Sequence, residues 1–267
     1  MSEEQVSHKQ VLDEQVSDEQ IGDRQGQVDQ QPRLICVLGD KGGTGKTTFA
    51  RGFNDLLVTK QVNSAAFDGD RKNAQLHRHY KNTGSGVRRV DVTQRDGGDE
   101  IINEMAAFKT PLVLVDLPGG PGNFLTMLEE EIGFLSAVTE LGYQMTVVSV
   151  LSRTKDAVNQ LKETLDLTEG YGVNYVVVKN LFYGAANKFR SFDKSKTKQR
   201  LLDKGGVIIE MRELYEDAYD YVDEGDLTFF EATVAKDKSH YANARKVKQW
   251  RNHFEQQITL TNGLLGL

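Results

Sequence analysis

The stretch Gly39–Thr48, reading GDKGGTGKTT, constrains this chain more than any other. Leu34-Ile35-Cys36-Val37-Leu38 precedes it as a continuous apolar run of strand length. Phe49, Phe53, Leu56 and Leu57 follow it at helical spacing. A buried strand feeding a glycine-rich loop that opens a helix is the setting a phosphate-binding loop requires. Gly42, Gly43 and Gly45 can take backbone angles closed to other residues, so their N–H groups can turn inward around phosphate oxygens. The first turn of the helix adds unpaired N–H groups and the positive end of its dipole. Lys46 can then reach the outer phosphates, and the Thr47 hydroxyl can ligate Mg²⁺. Counted from Asp40 the loop fits DxxxxGKT, so the first position of the minimal pattern is Asp rather than Gly, and a second lysine, Lys41, stands inside it.

KGGTGKTT resembles the deviant Walker A motif, KGGxGK[ST]T, of the ParA/MinD group of P-loop ATPases. The resemblance implies ATP and Mg²⁺ as cofactors and a homodimer that forms on ATP binding. It implies that Lys41 crosses to the partner's nucleotide, that Lys46 is the P-loop lysine, and that Thr47 ligates the magnesium. Asp40, Lys41, Gly42, Gly43, Thr44, Gly45, Lys46, Thr47 and Thr48 would then line the nucleotide, and hydrolysis would be slow.

From Arg33 onward, strand and helix patterns alternate, which predicts an α/β fold with a mostly parallel, doubly wound sheet and helices on both faces. With the loop, this is a P-loop NTPase fold of the SIMIBI type implied by the resemblance. Strands are expected at 33–39, 62–67, 87–92, 112–117, 143–151, 173–178 and 207–209. Helices are expected after the loop to about 60, and over 100–108, 124–141 and 154–167, with an acidic helix near 213–226 and a terminal one over 238–258. Residues 1–32 read as a separate tail. They carry eight acids against Lys9 and Arg24, and Gln recurs at 5, 10, 15, 20 and 25. A five-residue period matches neither helix nor strand, so the composition predicts disorder. The ATPase domain is expected over 33–267.

In sheets of this kind ligands lie beyond the carboxyl ends of the strands. Phe67-Asp68-Gly69-Asp70 closes the second strand, and DGDRKNAQL resembles the family's switch I pattern DxDPxxNA, closer to the DxDPxNA form of some conjugation-associated relatives, with Arg71 where proline is usual. The resemblance makes Asp70 the acid that positions or deprotonates the attacking water, and Asp68 a support for the magnesium shell or the geometry. Asp116 ends the apolar run LVLVD, the Walker B position, where a carboxylate holds Mg²⁺ directly or through water. Gly119 and Gly120 after it are suited to a switch II loop. Asn180 ends another strand. The resemblance implies that it reads the adenine edge, while an asparagine there is equally an ordinary turn residue.

Charge bears on partners. The tail holds all of the net charge of −6, and the other 235 residues balance to zero. Within them Lys188–Arg200 holds six bases against Asp193, Glu213–Asp226 holds seven acids, and Lys236–Arg251 holds six bases against Asp237. Such segregation allows an anion-binding face without a basic pI. The run Lys188, Phe189, Arg190, Phe192, Lys194, Lys196, Lys198 and Arg200 suits non-specific contact with DNA phosphates, as do Arg245, Lys246, Lys248 and Arg251. Tyr241, Ala244, Val247, Trp250, Phe254 and Ile258 form one helical stripe expected in the core.

The resemblance adds a protein adaptor that stimulates hydrolysis. It implies a partition or positioning role, with an accessory ATPase of conjugation or a MinD-like membrane-cycling regulator as alternatives. The Asp68-x-Asp70-x-x-Asn73 spacing favours conjugation. Thr259–Leu267 carries no base, which disfavours the membrane. No apolar run is long enough to span a bilayer, so a cytoplasmic protein is expected, nucleoid-associated where DNA binding holds. Cys36, the single cysteine, can form no disulfide within the chain and is expected in the core.

Overall fold

The computed structural model describes residues 31–39, 41–70, 73–94, 96–119 and 124–267. The tail proposed at 1–32 therefore lies almost wholly outside the described residues, as do Asp40, Arg71 and Gly120.

Seven strands form one sheet: β1 (Arg33–Leu38), β2 (Ser64–Asp68), β3 (Val87–Arg89), β4 (Leu112–Asp116), β5 (Gln144–Leu151), β6 (Asn174–Asn180) and β7 (Val207–Met211). Their order is β3-β2-β4-β1-β5-β6-β7, and every neighbouring pair is parallel. Parallel crossovers are right-handed, so the direction of travel along the sheet decides which face each helix covers. The steps β1 to β2 and β2 to β3 run one way and place α1 (Lys46–Thr59) and α2 (Gln75–Tyr80) on one face. The return from β3 to β4, and the steps onward to β7, run the other way. They place α3 (Asp99–Asn103), α4 (Phe124–Ile132), α5 (Phe134–Glu140), α6 (Lys155–Leu167), α7 (Arg190–Asp193) and α8 (Lys196–Asp203) on the opposite face. After β7 the chain returns to the first face as α9 (Glu216–Glu224) and α10 (Tyr241–Thr259).

Strand alternation divides the core. In β1, Leu34, Cys36 and Leu38 pack toward α3–α8, while Ile35 and Val37 pack toward α1. In β4, Val113 and Val115 take the first side, and Leu112 and Leu114 the second. By the same parity Asp116 belongs to the α1 side. So do Asp68, its register partner on β2, and Asn180 at the end of β6. This parity, more than any single contact, brings the polar strand ends to the loop. Cys36 is buried, and burial pushes its thiol up to about 12.

The structure departs from the sequence reading at four points. The helix expected over 124–141 is two, because Gly133 takes a φ of 60° between α4 and α5. The six-residue α2 was not foreseen. The basic stretch is not an open surface run. Phe189 and Phe192 are buried at 0% and 1% exposure and seat α7 on the sheet, so neither aromatic can stack on a base. In the terminal helix, Ala244, Val247, Trp250, Phe254 and Ile258 are core as expected, but Tyr241 is 64% exposed. The helix is locked to α1 by Arg251, whose Nε lies 2.5 Å from Asp55 Oδ2. Asp55 Oδ1 accepts from Phe230 N at 2.8 Å and from Tyr80 Oη at 3.2 Å. A buried carboxylate partnered this fully is structural.

Candidate functional site

Topology reverses around β1, and the loop after it opens the crevice at the carboxyl ends of β1 and β4. Gly45 is the residue before α1, at φ 94° and ψ 17°, and no side chain caps the helix. Its left-handed backbone suits glycine, and a Cβ there would lie 2.4 Å from Asn180 Nδ2. The uncapped first turn leaves N–H groups for an anion. Lys46 is buried and folds back over the loop, its Nζ donating to Lys41 O at 3.0 Å. Thr44 Oγ1 donates to the same carbonyl at 3.2 Å. Lys41 itself is exposed, and among the described residues nothing pairs with its ammonium. Gly119 comes close to this loop. A Cβ on it would lie 2.5 Å from Lys46 Nζ and 2.7 Å from Gly42 N, so only glycine fits.

Asp68 and Asp116 share the α1 side of β2 and β4, with Asp70 near enough to act on Asp116. Asp68 is buried, and both its oxygens are engaged by backbone N–H groups: Oδ1 by Asp70 at 3.1 Å and Oδ2 by His77 at 2.9 Å. Burial raises its pKa, and those two bonds oppose the rise. Asp70 Oδ1 accepts from Asn73 N at 3.1 Å, which makes the DGD segment a side-chain-closed turn. Gly69 docks that turn on β4, its N–H donating to Asp116 O at 2.9 Å.

Asp116 differs. It is fully buried, and among the described residues neither of its carboxylate oxygens has a hydrogen-bond partner. Burial pushes its pKa up to about 7. The neighbouring Thr47 hydroxyl pulls it back without closing a bond of ordinary geometry, as does Lys46, while Asp68 and Asp70 push it further up. A buried carboxylate left without partners calls for an ion. Among the described residues no three His, Cys, Asp or Glu side chains form a metal cage. Thr47 and Asp116 are instead the sparse oxygen pair that suits Mg²⁺, which keeps waters and leans on substrate phosphates. Of the three groups expected at the metal, Asp116 keeps both oxygens without a partner among the described residues and has Thr47 beside it, while both oxygens of Asp68 are taken up by backbone N–H groups.

A cavity of about 440 Å³ opens beside the loop, lined by Gly45, Thr48, Asn180, Phe182, Met211, Leu214 and Tyr219 among others. Its size suits a base and ribose. Asn180 sits in its wall, but Nδ2 donates to Thr44 O at 2.8 Å and Oδ1 accepts from Phe182 N at 3.1 Å. Asn180, for which the sequence left adenine reading and an ordinary turn both open, uses these two groups to hold the loop and the turn that follows β6. Tyr183, not foreseen, donates its hydroxyl to Gly43 O at 2.7 Å. A second cavity, of about 530 Å³, lies between Ala185 and α10 and shares Arg212, Glu213 and Leu214 with the first.

The candidate polyanion surface is smaller than its base count suggests. Lys198 pairs with Asp193 at 2.8 Å, Arg200 with Asp166 and Glu169, and Lys246 with Asp217 at 3.2 Å. Lys188, Arg190, Lys194, Lys196, Arg245 and Lys248 remain exposed.

No protein-family model matches the chain. It is 21% identical over 225 residues to Protein MobD of Acidithiobacillus ferrooxidans, covering 84% of this chain and 96% of that protein. Among solved structures it is similar to a nucleotide-binding protein from Archaeoglobus fulgidus in complex with ADP, at 15% identity and a TM-score of 0.48, over 74% of this chain and 88% of that one. It is also similar to the septum site-determining protein MinD from Pyrococcus horikoshii complexed with Mg-ADP. There the identity is 16% and the TM-score 0.46, over 86% of this chain and 98% of that one.

Proposed function

We propose that this chain is a Mg²⁺-dependent ATPase switch of ParA/MinD type, which dimerises on ATP and positions a cargo. The observation that carries the reading is Asp116: a buried, unpartnered carboxylate on the α1 side of β4, beside Thr47 and Lys46. Phosphoryl transfer to water needs charge neutralised, reactants in line and an oriented nucleophile. Lys46 and the loop N–H groups hold the phosphates and balance their charge. When bound, Mg²⁺ would neutralise phosphate oxygens from Thr47 and Asp116. Asp70, on a turn closed by Asn73 and docked on β4, would orient or deprotonate the water. Exposed Lys41 has the freedom to cross to a partner's nucleotide, which would make hydrolysis depend on dimerisation.

Replacing Asp70 tests this assignment. Asp70→Ala should retain ATP, hydrolyse it at least about 100-fold more slowly, in line with the loss of a general base, and persist as a dimer. Light scattering with Mg·ATP reads the outcome. A variant that stays monomeric, or turns over as wild type, would remove Asp70 from the chemistry.

For the cargo, non-specific DNA is the leading reading, through the exposed cations at 188–196 and on α10, with a protein adaptor to trigger hydrolysis. Binding to random-sequence DNA should require ATP. With about four to six phosphate contacts, raising salt from 50 to 200 mM should weaken it roughly 100-fold or more. A gel shift with and without ATP checks both points, and no shift in any nucleotide state would remove DNA as cargo. The similarity to Protein MobD favours a second reading, an accessory ATPase in DNA mobilisation or conjugation. Among the described residues no helix is long and apolar enough to cross a membrane.

A further inference from the structure

Two carbonyls of the glycine-rich loop are held from outside it, by the corner that follows β6. Asn180 Nδ2 donates to Thr44 O at 2.8 Å, and Tyr183 Oη donates to Gly43 O at 2.7 Å. The two donors are fixed to one another. Asn180 Oδ1 accepts from Phe182 N at 3.1 Å and so caps the short turn Leu181–Tyr183 that carries the tyrosine. The strand end beneath them is anchored on its other face. Lys179, buried, donates to Asp193 Oδ1 at 2.9 Å, Asp193 Oδ2 at 3.0 Å and Ala186 O at 3.3 Å.

In a planar trans peptide the C=O and the following N–H point in opposite directions. Holding Gly43 O and Thr44 O toward β6 therefore turns the N–H groups of Thr44 and Gly45 away from it, into the loop. The absence of a Cβ at Gly45 lets Asn180 come this close. The geometry points to Tyr183 and Asn180 as positioning residues that pre-set the phosphate-facing N–H groups of the loop before nucleotide arrives. A glycine-rich loop loses more conformational freedom than most segments when it is ordered, so an outside clamp lowers the cost of binding. The nature of the ligand rests on the nucleotide reading above; the clamp itself does not.

Tyr183→Phe removes one hydroxyl from a half-buried ring. The loss of one neutral hydrogen bond should speed amide hydrogen exchange over residues 43–46 about fivefold. It should weaken binding of N-methylanthraniloyl-ATP with Mg²⁺ by a similar factor, with the melting temperature unchanged. Asn180→Asp keeps the acceptor for Phe182 N but sets an oxygen against Thr44 O, so both effects should reach about tenfold or more. A residue that serves only stability would lower the melting temperature and leave exchange in the loop at the wild-type rate. Wild-type exchange over 43–46 in both variants would overturn the clamp, whatever nucleotide does. Faster exchange in a protein that binds no nucleotide at all would uphold the clamp and overturn the ATPase reading.

Discussion

Lys46→Ala should abolish measurable binding of Mg·ATP while leaving the fold intact. Lys46 is buried against the loop, its ammonium 3.0 Å from Lys41 O and close enough to Asp116 to lower that carboxylate's pKa. Against a triphosphate the same ammonium would make charge-assisted bonds in a site largely closed to water. Truncating one side of a desolvated charge pair costs about 2–5 kcal/mol, or roughly 30-fold to several thousandfold in affinity. The fold should hold because Lys46 is the first residue of α1, where alanine keeps the backbone bonds of the helix. Calorimetric titration with Mg·ATP, with circular dichroism as the control, decides the matter. Affinity within a few-fold of wild type would mean that the loop does not hold phosphate through Lys46. Lys46→Arg separates charge from shape: it keeps the cation but enlarges it beside Gly119, where even a Cβ would lie 2.5 Å from the present Nζ. It should therefore bind poorly despite its charge.

The loop, its strand and its helix were legible because their signals are local: three glycines, two lysines, an apolar run before and helical spacing after. Asp116 was legible for a related reason, a carboxylate ending a run of buried strand, and parity then says which face it serves. The contact of Asn180 was not legible because its partner, Thr44, lies 136 residues away, and nothing near Asn180 marks it. Tyr183 escaped notice for the same cause, with Gly43 140 residues distant. The stretch 188–200 misled through its charge. Phe189, Phe192 and Leu201 are the buried hydrophobic positions of the α7–α8 segment, but six bases around them give the run a polar look. Short α2 was hidden because its buried positions, Leu76, His79 and Tyr80, follow helical spacing with a histidine among them. That ring is kept neutral by burial and the nearby Arg51, its pKa lowered to about 4. In each case long-range packing decided what the local pattern could not.

Asp116→Asn should make the nucleotide-free protein more stable at pH 8 and remove its response to Mg·nucleotide. In the folded protein burial raises this carboxyl from 3.8 to about 7. The folded state therefore holds the proton more tightly than the unfolded chain. Stability falls as pH rises above about 4, and the whole penalty is present above about 7. A rise from 3.8 to about 7 corresponds to something on the order of 4 kcal/mol, of which about 3 kcal/mol accrues between pH 5 and pH 8. Asparagine carries no charge to bury, so its advantage over wild type should widen by about that amount across the interval. At roughly 2–4 °C per kcal/mol for a domain of this size, that is a gap about 6–12 °C larger at pH 8. Mg·nucleotide should reverse the ranking. A divalent ion at Thr47 and Asp116 competes with the proton, so nucleotide binding by wild type should strengthen as pH rises toward 7. The asparagine variant should show neither the pH dependence nor the thermal shift. Thermal melts at pH 5 and pH 8, each with and without Mg·ATP, give four comparisons from one pair of proteins. Equal gaps at both pH values would show that Asp116 is ionised and compensated in the folded chain, and equal stabilisation of both proteins by Mg·ATP would place the ion elsewhere.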